Sequence, residues 1–239
     1  MTICTAPFHR TKLDGREVSK MAHDIIVIGT SAGGVKALQT LVAGLPGGLR
    51  ASLFIVMHIS ATSPSVLPEI LSRSGSLPAL HATEGMMIEQ GTIYVAPPDH
   101  HLLLEQGYVH LGTGPKERHV RPSADVLFRS AASAYGSRVV GVVLTGTDRD
   151  GTNGLQVVKQ HGGITVVQDP ADATWPSMPQ SALASVTAII PCHCPALCPC
   201  WSDSLPLIIK LCPSFTRKGL RLFSRKPCPM LEEHRQQGA

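Results

Sequence analysis

Short unbroken apolar runs, each giving way to a turn and then to helical periodicity, constrain what this 239-residue chain can fold into. Residues 24–28, 52–57, 139–144 and 164–168 are such runs, and residues 92–96 add a shorter one. A strand without polar alternation is buried on both faces, and such strands belong to parallel sheets covered by helices on each side. Helical patterning follows them at residues 35–42, from Ser123 onward, at 152–161 and at 178–184. In the helix opened by Ser123, the apolar residues Val126, Leu127, Ala131 and Ala134 are expected to share a face. Ser63 and Pro64 read as the N-cap and first position of another short helix. Residues 102–105 and 108–111, joined across Gln106 and Gly107, read as a hairpin. The expected fold is a doubly wound, mostly parallel α/β sheet with helices on both faces and a small β-hairpin.

Three segments are expected: a disordered leader over 1–23, one catalytic domain over 24–191, and a Cys/Pro-rich, then basic, tail over 192–239. No apolar run approaches the roughly 18 residues of a membrane span, and the leader lacks the apolar core of a signal peptide. A formal charge of +4, with Lys and Arg dispersed until the tail, argues against a nucleic-acid footprint. Residues 24–190 contain no cysteine, as suits a cytoplasmic enzyme that needs no disulfides. In the tail, Cys192, Cys194, Cys198, Cys200 and His193 have the ingredients of a zinc site. Their C-x-C spacing is tighter than zinc ligands usually show, so they are read as free thiols and no metal is assigned. Residues 205–211 could close the chain as a short helix.

The chemistry concentrates at strand ends. Gly29-Thr30-Ser31-Ala32-Gly33-Gly34 joins the first strand to the first helix with a serine between glycines. Such a turn lifts the hydroxyl clear of the sheet edge, beside the N–H groups of a starting helix, as in a nucleophile elbow. His58 follows the second strand and Asp150 follows the strand at 139–144. In a doubly wound sheet the carboxyl ends of strands form the ligand crevice, so the three can converge. Serine needs a base to take its proton, imidazole titrates in the right range, and a carboxylate orients the imidazole. The order Ser, His, Asp differs from that of α/β-hydrolases, which places this triad on another fold.

The same residues carry a family resemblance. Residues 24–190 resemble the catalytic domain of the chemotaxis protein-glutamate methylesterases (CheB). The matching blocks are Ile28 to Gly34, Met57-His58, Ile93 to Leu102 (IYVAPPDHHL), Arg118 to Phe128 (RHVRPSADVLF), Leu144 to Gly151 and Pro176-Ser177-Met178-Pro179. The resemblance implies Ser31 as nucleophile, His58 as general base and Asp150 as orienting acid. It implies hydrolysis of glutamate γ-methyl esters on chemoreceptor helices with release of methanol, deamidation of glutamine as a second activity, and no cofactor. The chain departs from the family's pattern in lacking a receiver domain before its first strand, so no phosphorelay control is expected within it. Its aspartate turn reads Gly-Thr-Asp-Arg-Asp-Gly in place of Gly-Met-Gly-x-Asp-Gly. Thr147 keeps the N–H that the family uses in its oxyanion hole, while Asp148 brings a carboxylate beside it.

Several residues admit a second reading. The Ser31 turn also fits a dinucleotide-binding G-x-G-x-x-G with serine at the middle glycine, a replacement that hinders the approach of a pyrophosphate. Asp148 competes with Asp150 as triad acid, and Asp150 could be only a turn residue. Arg118 and Arg121 are either contacts for an acidic substrate or a solvated loop. Asp99, His100 and His101 resemble a metal cluster, although strand alternation would send the two histidines to opposite faces. The alternative functions are a regulatory or binding module of the same fold with little catalysis, and an esterase for another substrate. The sequence specifies no oligomeric state.

Overall fold

A computed structural model describes residues 23–60 and 64–185. Six strands form one fully parallel sheet: β1 (Ile25–Thr30), β2 (Ser52–Met57), β3 (Ala79–His81), β4 (Ile93–Val95), β7 (Val139–Val143) and β8 (Ile164–Val167). Their order across the sheet is β3-β4-β2-β1-β7-β8. Strands β5 (His101–Glu105) and β6 (Tyr108–Gly112) pair antiparallel as the expected hairpin. The helices are α1 (Gly34–Ala43), α2 (Leu67–Ser74), α3 (Ala124–Tyr135), α4 (Thr152–Gln160) and α5 (Ser177–Ser185). The α/β reading of the sequence therefore holds. The expected leader and tail, with the thiols at 192–200 and the apolar stretch at 205–211, lie outside the described residues.

The unbroken apolar runs are explained by two cores, one on each face. Alternate residues of β1 divide between them: Ile26 and Ile28 pack with Leu38, Leu41 and Val42 of α1 and Leu67 and Leu71 of α2. Ile25 and Val27 pack on the opposite face with Leu127, Phe128 and Ala131 of α3, Leu155 and Val158 of α4, and Met178 and Ala182 of α5. Both side-chain sets of a strand are then removed from water, so neither can be polar.

Two expectations are corrected. The buried stripe of α3 runs through Ala124, Leu127, Phe128, Ala131 and Ala132, while Val126 and Ala134 are only half-buried. Phe128 and Ala124 draw the helix around because they fill the space above Gly29, where a Cβ would lie 2.6 Å from that of Ala124. Helix α2 starts at Leu67, with Pro68 in its first turn; Pro64 is not helical, and Ser63 lies outside the described residues. Strand β3, which carries no periodic signal, pairs at the sheet edge beside β4.

Helices α3 and α4 approach each other closely at Gly154. A Cβ there would meet Phe128 Cβ at 2.6 Å and the Cα and carbonyl oxygen of Asp125 at 3.0 Å. Backbone atoms cannot yield as a side-chain tip can. Gly154→Ala is thus expected to destabilise the protein by about 2 kcal/mol, overpacking outweighing the roughly 1 kcal/mol that alanine gains in helix propensity. Chemical denaturation measures this, and an unchanged or raised midpoint would contradict it.

Candidate active site

Strand β1 sends the chain through α1 on one face toward β2, whereas β7 sends it through α4 on the other face toward β8. The connections diverge between β1 and β7, and a crevice opens at their carboxyl ends, as at the switch point of any doubly wound sheet. Ser31 and the loop of residues 144–151 stand on its two sides.

The three loops are tied by their backbones. Thr145 C=O accepts from the Ser31 N–H at 3.0 Å and from Thr30 Oγ1 at 2.8 Å. Thr145 Oγ1 donates to Ala32 C=O at 3.0 Å and takes the Trp175 N–H at 2.9 Å. The His58 N–H donates to Thr30 C=O at 3.2 Å, extending the β1–β2 ladder by one residue. Gly33, at φ 77, turns the chain into α1 in the left-handed region that favours glycine. Gly146 leaves room for Met178 and Ser31: a Cβ there would lie 2.0 Å from Met178 Sδ and 3.0 Å from Ser31 Cβ, and the methionine would have to move.

Of the two competing carboxylates, Asp150 is the one that meets His58. His58 Nε2 and Asp150 Oδ2 are 2.8 Å apart, with Asp150 fully buried and His58 nearly so. An ionised carboxylate can only accept, so Nε2 carries the proton and Nδ1 keeps its lone pair for another group. Asp148 makes no hydrogen bond or ion pair among the described residues. Ser31 Oγ also makes none, so a serine rotamer turned toward Nδ1 is needed before a proton can pass.

Asp150 is held by more than His58. Its Oδ1 accepts from Ser123 Oγ at 2.8 Å and from the Asp125 N–H at 3.1 Å. Its Oδ2 also accepts from the Ala124 N–H at 2.6 Å. The carboxylate therefore caps the N-terminus of α3 from a distant loop, where helix N–H groups and the dipole favour negative charge. Burial raises its pKa, but the hydrogen bond and charge of His58, the Ala124 N–H and Ser123 outweigh it, and the pKa lies below the ordinary value. Asp150 is accordingly ionised at neutral pH.

Behind Ser123 stands His101, which is buried. Its Nδ1 accepts the Ser123 N–H at 3.2 Å and its Nε2–H donates to Pro115 C=O at 3.0 Å. His100 instead sets Nδ1 against Pro98 C=O at 2.9 Å, so the adjacent histidines share no site. Arg121 is a clamp. Its Nε and Nη2 donate to Asp99 Oδ1 at 3.0 and 2.8 Å, and its Nη1 to the carbonyls of Thr113 and Gly114, both at 2.8 Å. Arg118 lies with Nε 3.9 Å from Asp125 Oδ2. The sequence reading missed Ser123, His101 and Asp125, although Ser123 and Asp125 carry an N-cap and an acidic first-turn signal. Among the described residues no group of three or more His, Cys, Asp or Glu could hold a metal ion.

With this geometry in view, residues 26–194 match the sequence model of the CheB methylesterase family. The chain belongs to the CheB methylesterase family. It is 39% identical over 168 residues to a Leptospira interrogans protein named "Putative protein-glutamate methylesterase/protein-glutamine glutaminase", covering 70% of this chain and 87% of that one. It is 37% identical over 182 residues to protein-glutamate methylesterase/protein-glutamine glutaminase 2 of Methanosarcina acetivorans, covering 72% of this chain and 51% of the relative. The crystal structure of the Thermotoga maritima CheB methylesterase catalytic domain superposes with a TM-score of 0.66 at 32% identity, covering 70% of this chain and 90% of that domain. The chain thus spans most of the Leptospira protein and about half of the Methanosarcina one. Among the described residues no helix is long and apolar enough to cross a membrane.

Proposed function

We propose that this CheB-family chain is a serine hydrolase that removes methyl groups from glutamate γ-methyl esters on the cytoplasmic helices of chemoreceptors, and that it deamidates selected glutamines there. The observation that carries this reading is the His58–Asp150 pair, anchored on α3 at the switch point across from Ser31. Ser31 Oγ attacks the γ-carbonyl carbon while His58 Nδ1 takes its proton. The tetrahedral oxyanion collapses, the C–O bond to the methoxy group breaks, and His58 returns the proton to release methanol. Water then attacks the acyl-serine with His58 again as base, Ser31 regains its proton, and a glutamate carboxylate leaves. With glutamine the leaving group is ammonia.

The oxyanion needs backbone donors aimed at it. Among the described residues the N–H groups of Ala32 and Thr147 meet no acceptor, and they flank Ser31 from the two sides of the crevice. They are the donors this reading assigns. The expected result in solution is release of labelled methanol from a methylated receptor cytoplasmic fragment by the full chain. A receptor left fully methylated while a generic ester is hydrolysed would favour another substrate. No hydrolysis of either would favour the non-catalytic module, in which Asp148 beside Thr147 spoils oxyanion stabilisation.

A further inference from the structure

Asp150 precedes α4 yet caps α3, and Asp125 lies in the first turn of α3 yet caps α4: its Oδ1 accepts the Gly154 N–H at 2.6 Å. The two helices have exchanged carboxylates at their N-termini. Asp125 is nearly as buried as Asp150, and its own N–H is one of the donors that hold Asp150. We propose that Asp125 is a positioning residue of this hydrolase: its ionised carboxylate ties the first turn of α4 to α3 and so holds Asp150 in place against His58. This rests on the serine-hydrolase reading above for its effect on rate, though not for its effect on Asp150.

The arrangement has a cost that makes it testable. Two carboxylates lie side by side out of water, and the charges facing Asp125 only partly offset this. The offsetting cations are Arg118 from the loop before α3 and Arg129 from α3 itself (which is also paired with Glu117); opposing them is the like charge of Asp150 from the turn before α4, with His58 beyond it. His101 on β5 stands behind Ser123. Burial, and then the charge of Asp150, push Asp125 up from 3.8 to about 6, against the Gly154 N–H and the two arginines. Asp125 is therefore mostly ionised at pH 8 and gains its proton just below neutrality. Because its folded-state pKa is raised, the stability it contributes is full below 3.8 and is lost as pH rises through about 6. At pH 8 the ionised form is held at the expense of stability.

Asp125→Asn keeps an acceptor for the Gly154 N–H and removes the charge. In the full chain at pH 8, with a methylated receptor fragment as substrate, kcat is expected to fall about fivefold with KM unchanged, since a neutral amide accepts the Gly154 N–H more weakly than a carboxylate and leaves Asp150 less firmly held against His58 in the transition state. The melting temperature should stay the same or rise. A merely structural residue would lose stability and activity together. The substrate-free readout is the carboxyl ¹³C resonance of Asp150. In the wild type it should carry a step near pH 6 from Asp125, separate from its own titration below 3.8 and added to any change that protonation of its partner His58 imposes, and the Asn variant should lose the Asp125 step alone. Superimposable Asp150 curves overturn the proposal, as does an unchanged kcat or a melting temperature that falls with the rate. If the wild type hydrolyses no receptor ester, the functional reading fails and the ¹³C curves alone decide this one. If the variant does not fold, a wild-type Asp150 curve without the step is sufficient to reject it.

Discussion

Replacing Ser31 with alanine is expected to lower receptor demethylation by about four orders of magnitude or more while leaving the fold intact. The change removes only Oγ, and in the resting structure that atom makes no hydrogen bond. The contacts that shape the turn belong to the backbone: Ser31 N–H to Thr145 C=O at 3.0 Å, and Gly34 N–H to Ser31 C=O at 2.9 Å. Alanine keeps both. Methanol release followed beside circular dichroism and thermal melting separates chemistry from folding. A variant that melts like the wild type and still demethylates at a comparable rate would remove Ser31 from the reaction.

The second large effect belongs to Asp150. Asp150→Asn should cost about four orders of magnitude in kcat, because an amide has no charge to stabilise the imidazolium and, with its NH2 turned toward His58, selects the wrong tautomer. It should also cost about 2 kcal/mol of stability. The carboxylate receives four donors: Ser123 Oγ, the N–H groups of Ala124 and Asp125, and His58 Nε2. An asparagine offers one acceptor oxygen and turns an N–H toward at least one of them. The depressed pKa also sets a sign. The stability Asp150 contributes is present above its ordinary value of 3.8 and is lost as pH falls through its lower folded-state value. Asp150→Asn should therefore flatten the acid limb of the stability curve. Asp148→Gly, by contrast, should leave activity equal or higher. If Asp148→Gly is crippling and Asp150→Asn mild, the two carboxylates have been assigned the wrong way round.

The fold was legible where burial is total. Ile25 to Ile28 serve two cores at once, so the run had to be apolar throughout and could only be a covered strand. Ala79 to His81 gave no signal because an edge strand of three half-buried residues imposes no pattern. Val126 and Ala134 were misplaced because periodicity locates a stripe only to within a residue or two, and the space above Gly29 chose Ala124 and Phe128 instead. The start of α2 was misjudged because a Ser-Pro pair is a local cue, whereas the helix begins where Leu67 and Leu71 reach the core. The placement of Ser31, His58 and Asp150 past three strand ends could be read from the sequence. Ser123, His101 and Asp125 could not, because each looks like an ordinary cap or strand residue until the loop it serves is folded against it.

The capping of α3 by Asp150 joins two things that enzymes often keep apart. The first amides of α3 find their acceptor only when the loop after β7 has closed. In the opposite sense, the acid reaches its position only when α3 is wound from its first residue. On the proposed triad, fraying of that single helical turn disarms the catalyst while the sheet and the core beneath α1 and α2 remain whole. Exchange of the Ala124 and Asp125 amides with solvent is accordingly a direct gauge of the fraction of molecules able to react at any instant.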